Sequence, residues 1–306
     1  MIIYKYLDQK GAIETIKGNS VLLNTPEHYN DPFDCDIYVT DEEEKKAYDL
    51  FINFQMFKAL YDSFVEKTSL TFLANTFKKE LMFSAKVMIK EKKFEPQTYL
   101  KIANNKFYKT IKKSKAILQA EFKEMLKGVY KKIKESVIVS CFGSTYDQPL
   151  MWAHYTDKHK GACVEFETDD KDFKIIHYEK KKVEFKLYKA LQIVFGHQLA
   201  KKDVDAEDKK YSFLYSPLLT KSLDWIYEGE IRCVYSINKR DSKIYEATND
   251  KGETILLLKM PKIKRIYLGC KSSSSFEKTI REFSGDIPLF KMKKKEKEYC
   301  LAADAI

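Results

Sequence analysis

Two short stretches set ionisable side chains beside tryptophan, and each has the residue types of a pocket wall. The first is Pro149-Leu150-Met151-Trp152-Ala153-His154-Tyr155, continued by Thr156-Asp157-Lys158-His159-Lys160-Gly161. The second is Lys221-Ser222-Leu223-Asp224-Trp225-Ile226-Tyr227-Glu228-Gly229-Glu230-Ile231-Arg232. Together they hold both tryptophans of a chain that has only 2. Read as a strand over 226–234, the second stretch puts Glu228, Glu230 and Arg232 on one face and Tyr227, Gly229 and Ile231 on the other. Adjacent carboxylates repel, which raises the apparent pKa of one or makes the pair bind a cation, and Arg232 offsets part of that repulsion. Such a face can hold a ribose by its hydroxyls or stabilise a cationic transition state. A surface ladder of alternating charge has the same period; Lys221 and Trp225, immediately before it, argue for the pocket.

In the first stretch a short helix after Pro149 sets Met151 four residues from Tyr155 and His154 four from Lys158. The structural alternative is that Trp152 and Tyr155 pack while His154 bonds a neighbour. A third wall is available from Asn30-Asp31-Pro32-Phe33-Asp34, whose residue types also make an ordinary turn. A glycine-rich phosphate loop, a GxSxG elbow, an HExxH pair and a CxxC pair are all absent from the sequence. Dinucleotide-fold hydride transfer, P-loop hydrolysis, serine hydrolysis and zincin chemistry are therefore disfavoured.

The elements that must position these residues follow from periodicity. Residues 2–7 alternate as an opening strand with Tyr4 and Tyr6 on one face, 9–18 read as a helix ended by Gly18, and Val21-Leu22-Leu23 as a second strand. From 41 to 135 the apolar spacing becomes three and four, which predicts an inserted subdomain of four helices broken at Pro96. Strand composition returns at 137–142, leading into the Trp152 stretch, and again at 162–166 and 182–185. A helical run is expected over about 206–222, then strands at 226–236, 253–259 and 263–268, a helix near 275–283 and a last strand. Residues 291–306 read as a solvated tail. The fold class is α+β, one mixed or antiparallel sheet carrying the helical insertion, with 1–306 forming one domain around it.

Composition bounds the function classes. Hydrophobic residues make up 44% and charged residues 33% of 306, which suits a soluble globular chain. No 18-residue apolar run is present to span a bilayer, and Met1-Ile2-Ile3-Tyr4-Lys5-Tyr6 lacks the basic and apolar regions of a secretory signal, so the expected location is cytoplasmic, with no membrane partner. The net charge of +10 comes almost wholly from dispersed lysine; only Arg232, Arg240, Arg265 and Arg281 supply the guanidinium forks on which nucleic-acid recognition leans. The 6 cysteines are scattered, without zinc spacing, and read as reduced structural residues.

Taken together, Tyr4-Lys5-Tyr6, Asn30-Asp31-Pro32-Phe33-Asp34, Met151-Trp152-Ala153-His154-Tyr155 with Lys160-Gly161, and Lys221 through Trp225, Tyr227-Glu228, Glu230 and Arg232 resemble the bacterial DUF2971 family. The resemblance implies a setting in phage defence or as a toxin. The layout is also similar to the ADP-ribosyltransferase-like fold, with an aromatic or basic opening strand, a middle aromatic motif and a late Glu-x-Glu. That similarity implies NAD as substrate. Glu230 would bind the nicotinamide ribose and stabilise the oxocarbenium-like state, and Glu228 would position or deprotonate a nucleic-acid or protein acceptor. Tyr6 and Tyr155 would flank the nicotinamide, and His154 or Lys221 would contact ribose or phosphate. Tyr4, Asn30, Asp31, Asp34, Trp152, Trp225 and Arg232 complete the implied substrate site, and no metal is implied. Tyr4, Lys5 and Tyr6 stand where such enzymes carry His or Arg, and the Ser-Thr-Ser style middle motif is missing.

Two other readings fit the same residues. Asp31, Asp34, Glu228 and Glu230 could gather a divalent ion in a nuclease, or the pocket could bind a nucleotide or partner as a non-catalytic sensor. All three require Trp152 and Trp225 to converge with the opening tyrosines on one cavity.

Overall fold

The computed structural model describes residues 1–66, 78–94, 115–168, 171, 173–200, 213, 216–237 and 241–306. The chain forms two compact units, one of Met1–Asp36, Lys134–Lys182 and Pro217–Ile306, the other of Ile37–Ile133 and Val183–Ser216.

The first unit is α+β. Its strands are β1 (Ile2–Leu7), β2 (Ser20–Leu23), β3 (Val137–Phe142), β4 (Ala162–Glu167), β5 (Phe173–Ile175), β6 (His177–Glu179), β7 (Thr220–Ser222), β8 (Ile231–Ser236), β9 (Ile244–Thr248), β10 (Thr254–Lys259), β11 (Ile263–Leu268), β12 (Leu289–Lys294) and β13 (Leu301–Ala305). The expected single sheet is corrected. The strands divide among a five-stranded sheet β1-β4-β11-β12-β13, two three-stranded sheets, β2-β10-β9 and β3-β8-β5, and a pair β6-β7. The sheets meet at points rather than along ladders: Tyr4 and Gly143 exchange two backbone hydrogen bonds (3.0 and 2.7 Å), and Asn24 and Val139 do the same (3.0 and 2.8 Å). The five-stranded sheet is mixed because β11 and β12 run parallel, a connection that needs a crossover element. Helix Ser274–Ser284 lies between them, capped by Ser273, whose hydroxyl accepts from the Phe276 amide.

The two faces of this sheet follow the period of 2 in β4 and β11. Val164, Phe166, Ile266 and Leu268 turn to one side, into a core shared with α1 (Gln9–Gly18) and the helix Ser274–Ser284. Cys163 and Tyr267 turn to the other, where they pack with Tyr6, Met151 and Trp152. Helix α1 starts on Asp8, which accepts from the Gly11 amide, and ends with Gly18 as expected, Asn19 following in the left-handed conformation.

The second unit is helical, comprising α2 (Asp41–Glu66), α3 (Lys78–Glu91), α4 (Lys115–Glu135, whose last residues pass into the first unit) and α6 (Leu187–Leu199). Helix α5 is Pro149–Tyr155 and α7 is Ser274–Ser284, both in the first unit. The apolar stripes of α2 and α6 meet through Phe54 and Phe195, stacked with ring centroids 4.1 Å apart. This unit takes in much of the predicted insertion together with residues 183–216. Pro96 and the expected fourth helix of 41–135 lie outside the described residues.

Three further expectations change. Residues 291–306 are not a solvated tail, because β12 and β13 pair antiparallel from Phe290 with Ala305 to Lys294 with Leu301, and Met292 and Leu301 are buried. Of the lysines that suggested a tail, Lys293 and Lys294 are exposed at the end of β12, whereas Lys291 turns to Glu277 and Ser272. The stretch 182–185 makes only an isolated bridge, Glu184 to Tyr38. Of the run expected as helix over 206–222, residues 206–212, 214 and 215 lie outside the described residues, and 220–222 is strand β7. The strongly apolar α6 was not separated from its surroundings by periodicity.

Candidate functional site

A cleft of about 420 Å³ opens in the first unit, lined by β1, β3, α5, the 24–34 segment and the residues around Glu228. Tyr4, Lys5 and Tyr6 come from β1, Ser140 and Cys141 from β3, and Met151, His154 and Tyr155 from α5. Asn30 and Asp34 come from the turn, and Lys221, Glu228 and Glu230 complete the lining. Helix α5 is aimed by its start, where Pro149 occupies the first turn and Gln148 caps the Leu150 amide.

The carboxylates arrive by a route other than the expected strand. Leu223–Glu228 is a 3₁₀ helix capped by Ser222, Gly229 is left-handed at φ 50°, and β8 begins only at Ile231. Glu228 and Glu230 therefore flank a chain reversal, yet both reach the Lys221 ammonium. An alanine Cβ at Gly229 would sit 2.1 Å from Ser144 Oγ, in a backbone region that side chains disfavour. Gly229→Ala is expected to lose about 1–2 kcal/mol, measured by urea unfolding. Adding Ser144→Gly should recover the steric part only; full recovery would show that the left-handed conformation is not needed.

Lys221 Nζ donates to Glu228 Oε2 (2.6 Å) and Glu230 Oε2 (3.2 Å) and lies 3.6 Å from Asp34 Oδ2. Arg232 grips Glu230 through Nε to Oε1 (2.6 Å) and Nη2 to Oε2 (3.0 Å), while Nη2 also reaches Asp34 Oδ2 (2.6 Å) and Nη1 the Leu218 carbonyl (2.8 Å). The Tyr155 hydroxyl donates to Glu228 Oε1 at 2.7 Å. The Glu230 amide donates to Tyr178 Oη at 2.7 Å. Burial alone would raise both glutamates. For Glu230 that effect is outweighed by Arg232 and Lys221, which hold its carboxyl at about 2. For Glu228 burial prevails over Lys221 and Tyr155, and the carboxyl sits above its ordinary value. Lys221 is held above its ordinary value, since the glutamates and Asp34 outweigh its burial. Burial and the nearby Glu230 push the Cys141 thiol up to about 12, so it is no thiolate nucleophile.

Of the residues singled out in sequence, Tyr4, Tyr6, Asn30, Asp34, His154, Tyr155, Lys221, Glu228 and Glu230 all line this cleft. Four placements, those of Trp152, Asp31, Arg232 and Trp225, need correction. Trp152 is 0% exposed, gives its indole N–H to the Tyr146 carbonyl at 2.7 Å and meets Tyr6 edge-on at 5.5 Å. It is core beneath the wall, because an indole on the sheet-facing side of α5 is covered by β4 and β11. Asp31 turns its carboxylate to the Phe33 amide (2.9 Å) and shapes the turn. Arg232 is fully buried behind Glu230 and Asp34 rather than in the cleft wall. Trp225 lies near the cleft without lining it, its ring 4.7 Å from Lys221 Nζ and 6.4 Å from the His154 ring. The two tryptophan stretches thus converge, but through His154, Tyr155, Lys221 and Trp225 rather than through both indoles.

Among the described residues no group of three or more His, Cys, Asp or Glu side chains could hold a metal ion. The nuclease constellation has a physical obstacle as well: Asp31 faces elsewhere, and Lys221 and Arg232 already stand where a cation would neutralise the other three carboxylates.

Sequence reasoning passed over Lys5, His28, Tyr29 and Cys141 as site residues, all of which line the cleft. Lys5 carried a usable signal, a charge in an otherwise apolar and aromatic strand, whereas Cys141 read as one more small hydrophobe. His28 and Tyr29 carried none beyond their place in a proline-bounded turn.

Residues 151–233 match the family model described as a protein of unknown function, DUF2971. The match begins in α5 and ends in β8, and so contains His154, Tyr155, Lys221, Glu228, Glu230 and Arg232 but none of the β1 residues. No curated protein and no solved structure matches the chain. No helix among the described residues is long and apolar enough to cross a membrane.

Proposed function

We propose that this DUF2971 protein is an enzyme that cleaves the N-glycosidic bond of NAD and passes the ADP-ribosyl group to an acceptor. The observation that carries the reading is that two neighbouring glutamates in one cleft have different partners, Glu230 gripped by Arg232 and Lys221 and Glu228 held by Lys221 and Tyr155, which lowers the carboxyl of the first and leaves that of the second raised by burial. Environments that push two carboxyls apart are how a site divides an ionic role from a proton-transfer role. Glu230, ionised throughout the neutral range, supplies fixed negative charge near the ribose as positive charge develops there. The bond between C1′ and the nicotinamide nitrogen breaks with its electron pair leaving on the nitrogen. The acceptor oxygen bonds to C1′, and its proton passes to the Glu228 carboxylate. Tyr4, Tyr6, Tyr155 and His154 provide flat walls for a planar ring, and a volume of about 420 Å³ falls within the size range of ligand sites. The acceptor is a nucleic acid or a protein and the setting is phage defence or a toxin, points that rest on the family resemblance, while the cytoplasmic location rests on composition.

The test is nicotinamide release from NAD by the purified protein, followed by chromatography. Glu228→Gln and Glu230→Gln are each expected to reduce the rate by about 10²–10⁴-fold with circular dichroism unchanged. Wild-type protein that binds NAD calorimetrically and never releases nicotinamide would favour the sensor reading. That second reading has its own support, since Lys221 and Arg232 together compensate most of the carboxylate charge. Neither binding nor release would overturn both.

A further inference from the structure

Two lysines line the same cleft in opposite surroundings. Lys221 is ringed by Glu228, Glu230 and Asp34 and is fixed as an ammonium. Lys5 has only neutral partners: its Nζ donates to Ser140 Oγ at 2.9 Å and to the Cys141 carbonyl at 2.7 Å, and lies 5.1 Å from the centre of the Phe142 ring. No carboxylate lies within ion-pair distance of it among the described residues. Strand β1 is an edge strand, where a lysine ordinarily points to solvent and blunts the edge. Here the amino group turns inward instead, to β3. An amine that gives two protons to neutral acceptors keeps its remaining position for whatever enters the cleft.

We propose that Lys5 is a reactive amine that condenses with a small aldehyde or ketone bound in the cleft. The nitrogen attacks the carbonyl carbon, and the C–N bond forms as the carbonyl π pair moves to oxygen. Both N–H protons leave with that oxygen as water, giving the imine. No oxidant, reductant or metal is required. Burial supports the assignment by lowering the Lys5 pKa, with Cys141, Glu230 and Cys233 opposing it less strongly; a desolvated lysine is the usual form of an imine-forming one.

The experiment uses wild-type protein with glyceraldehyde and sodium cyanoborohydride at neutral pH, sampled over time and mapped by peptide mass spectrometry. Lys5 is expected to be alkylated about tenfold faster than the exposed Lys158, Lys251 and Lys262. Modification of Lys5 at or below their rate overturns the proposal. Lys5→Arg, checked by circular dichroism, should remove the fast adduct and leave the others; a fast adduct that persists in this variant also overturns it. The measurement contains no NAD, so failure of nicotinamide release leaves its outcome untouched, and the reverse holds equally.

Discussion

Arg232→Ala is expected to lower the unfolding free energy by about 3–5 kcal/mol, because it leaves three buried carboxylates, Asp34, Glu228 and Glu230, with Lys221 as their one remaining cation. The guanidinium is 0% exposed, and Glu230 and Asp34, its two anionic partners, are 3% and 7% exposed. Removing it also leaves the Leu218 carbonyl without its donor and takes away the group that holds the Glu230 carboxyl at about 2. Arg232→Lys should recover only part of the loss, since an ammonium cannot repeat the paired Nε and Nη2 grip on Glu230. The triple change Arg232→Met with Glu230→Gln and Asp34→Asn should be less destabilising than Arg232→Ala alone, because the uncompensated charge is gone. Urea unfolding midpoints decide it. A loss under about 1 kcal/mol for Arg232→Ala would mean the cluster is hydrated and behaves like a surface ion pair.

Trp152→Ala should cost a similar amount, about 3–5 kcal/mol, for a different reason: it opens a cavity between α5 and the five-stranded sheet. The indole packs against Tyr6, Met151, Cys163 and Tyr267, and its N–H satisfies the Tyr146 carbonyl. Trp152→Phe keeps much of the volume but leaves that carbonyl unpaired, so its loss should be smaller. The informative comparison is with ligand. For the NAD cleavage proposed above, buried Trp152 predicts that Trp152→Phe leaves KM within about twofold, whereas Tyr155→Phe, which breaks the bond to Glu228, changes the rate. A KM that rises more than the stability falls would return Trp152 to the cleft wall.

These two variants probe the two halves of one arrangement. The apolar half sets where α5 lies, and hence where His154 and Tyr155 point. The ionic half sets where Glu228 and Glu230 point, through Lys221 and Arg232. Gly229 joins the halves by reversing the chain between the two glutamates, in a conformation that strand periodicity could not foresee.

Much of the secondary structure was legible because alternation and three-to-four spacing are local properties. Strand β1, helix α1, strands β3 and β11 and helix α7 fall where the pattern puts them. The misreadings come from partners that a local pattern does not show. Exposed lysines at the end of β12 resemble a solvated tail until the hairpin to β13 closes, and a Glu-x-Glu beside a strand resembles part of that strand, although the groups that fix it are distant in sequence. β13 pairs with β12, and Tyr178, Leu218 and Asp34 meet the Glu230–Arg232 segment from three separate places in the chain.

Residue chemistry by itself therefore determined which side chains could matter: a carboxylate pair with lysine and arginine close by, tyrosines on the first strand, and a histidine-tyrosine pair after Pro149. Tertiary structure alone decided their roles. It buried Trp152, set Arg232 behind the carboxylates, turned Asp31 aside and brought Lys5 against neutral acceptors. The physical reason is that ionisation and burial depend on which groups from remote segments surround a side chain, and the free energy of a charge is set by that surrounding rather than by its neighbours along the chain.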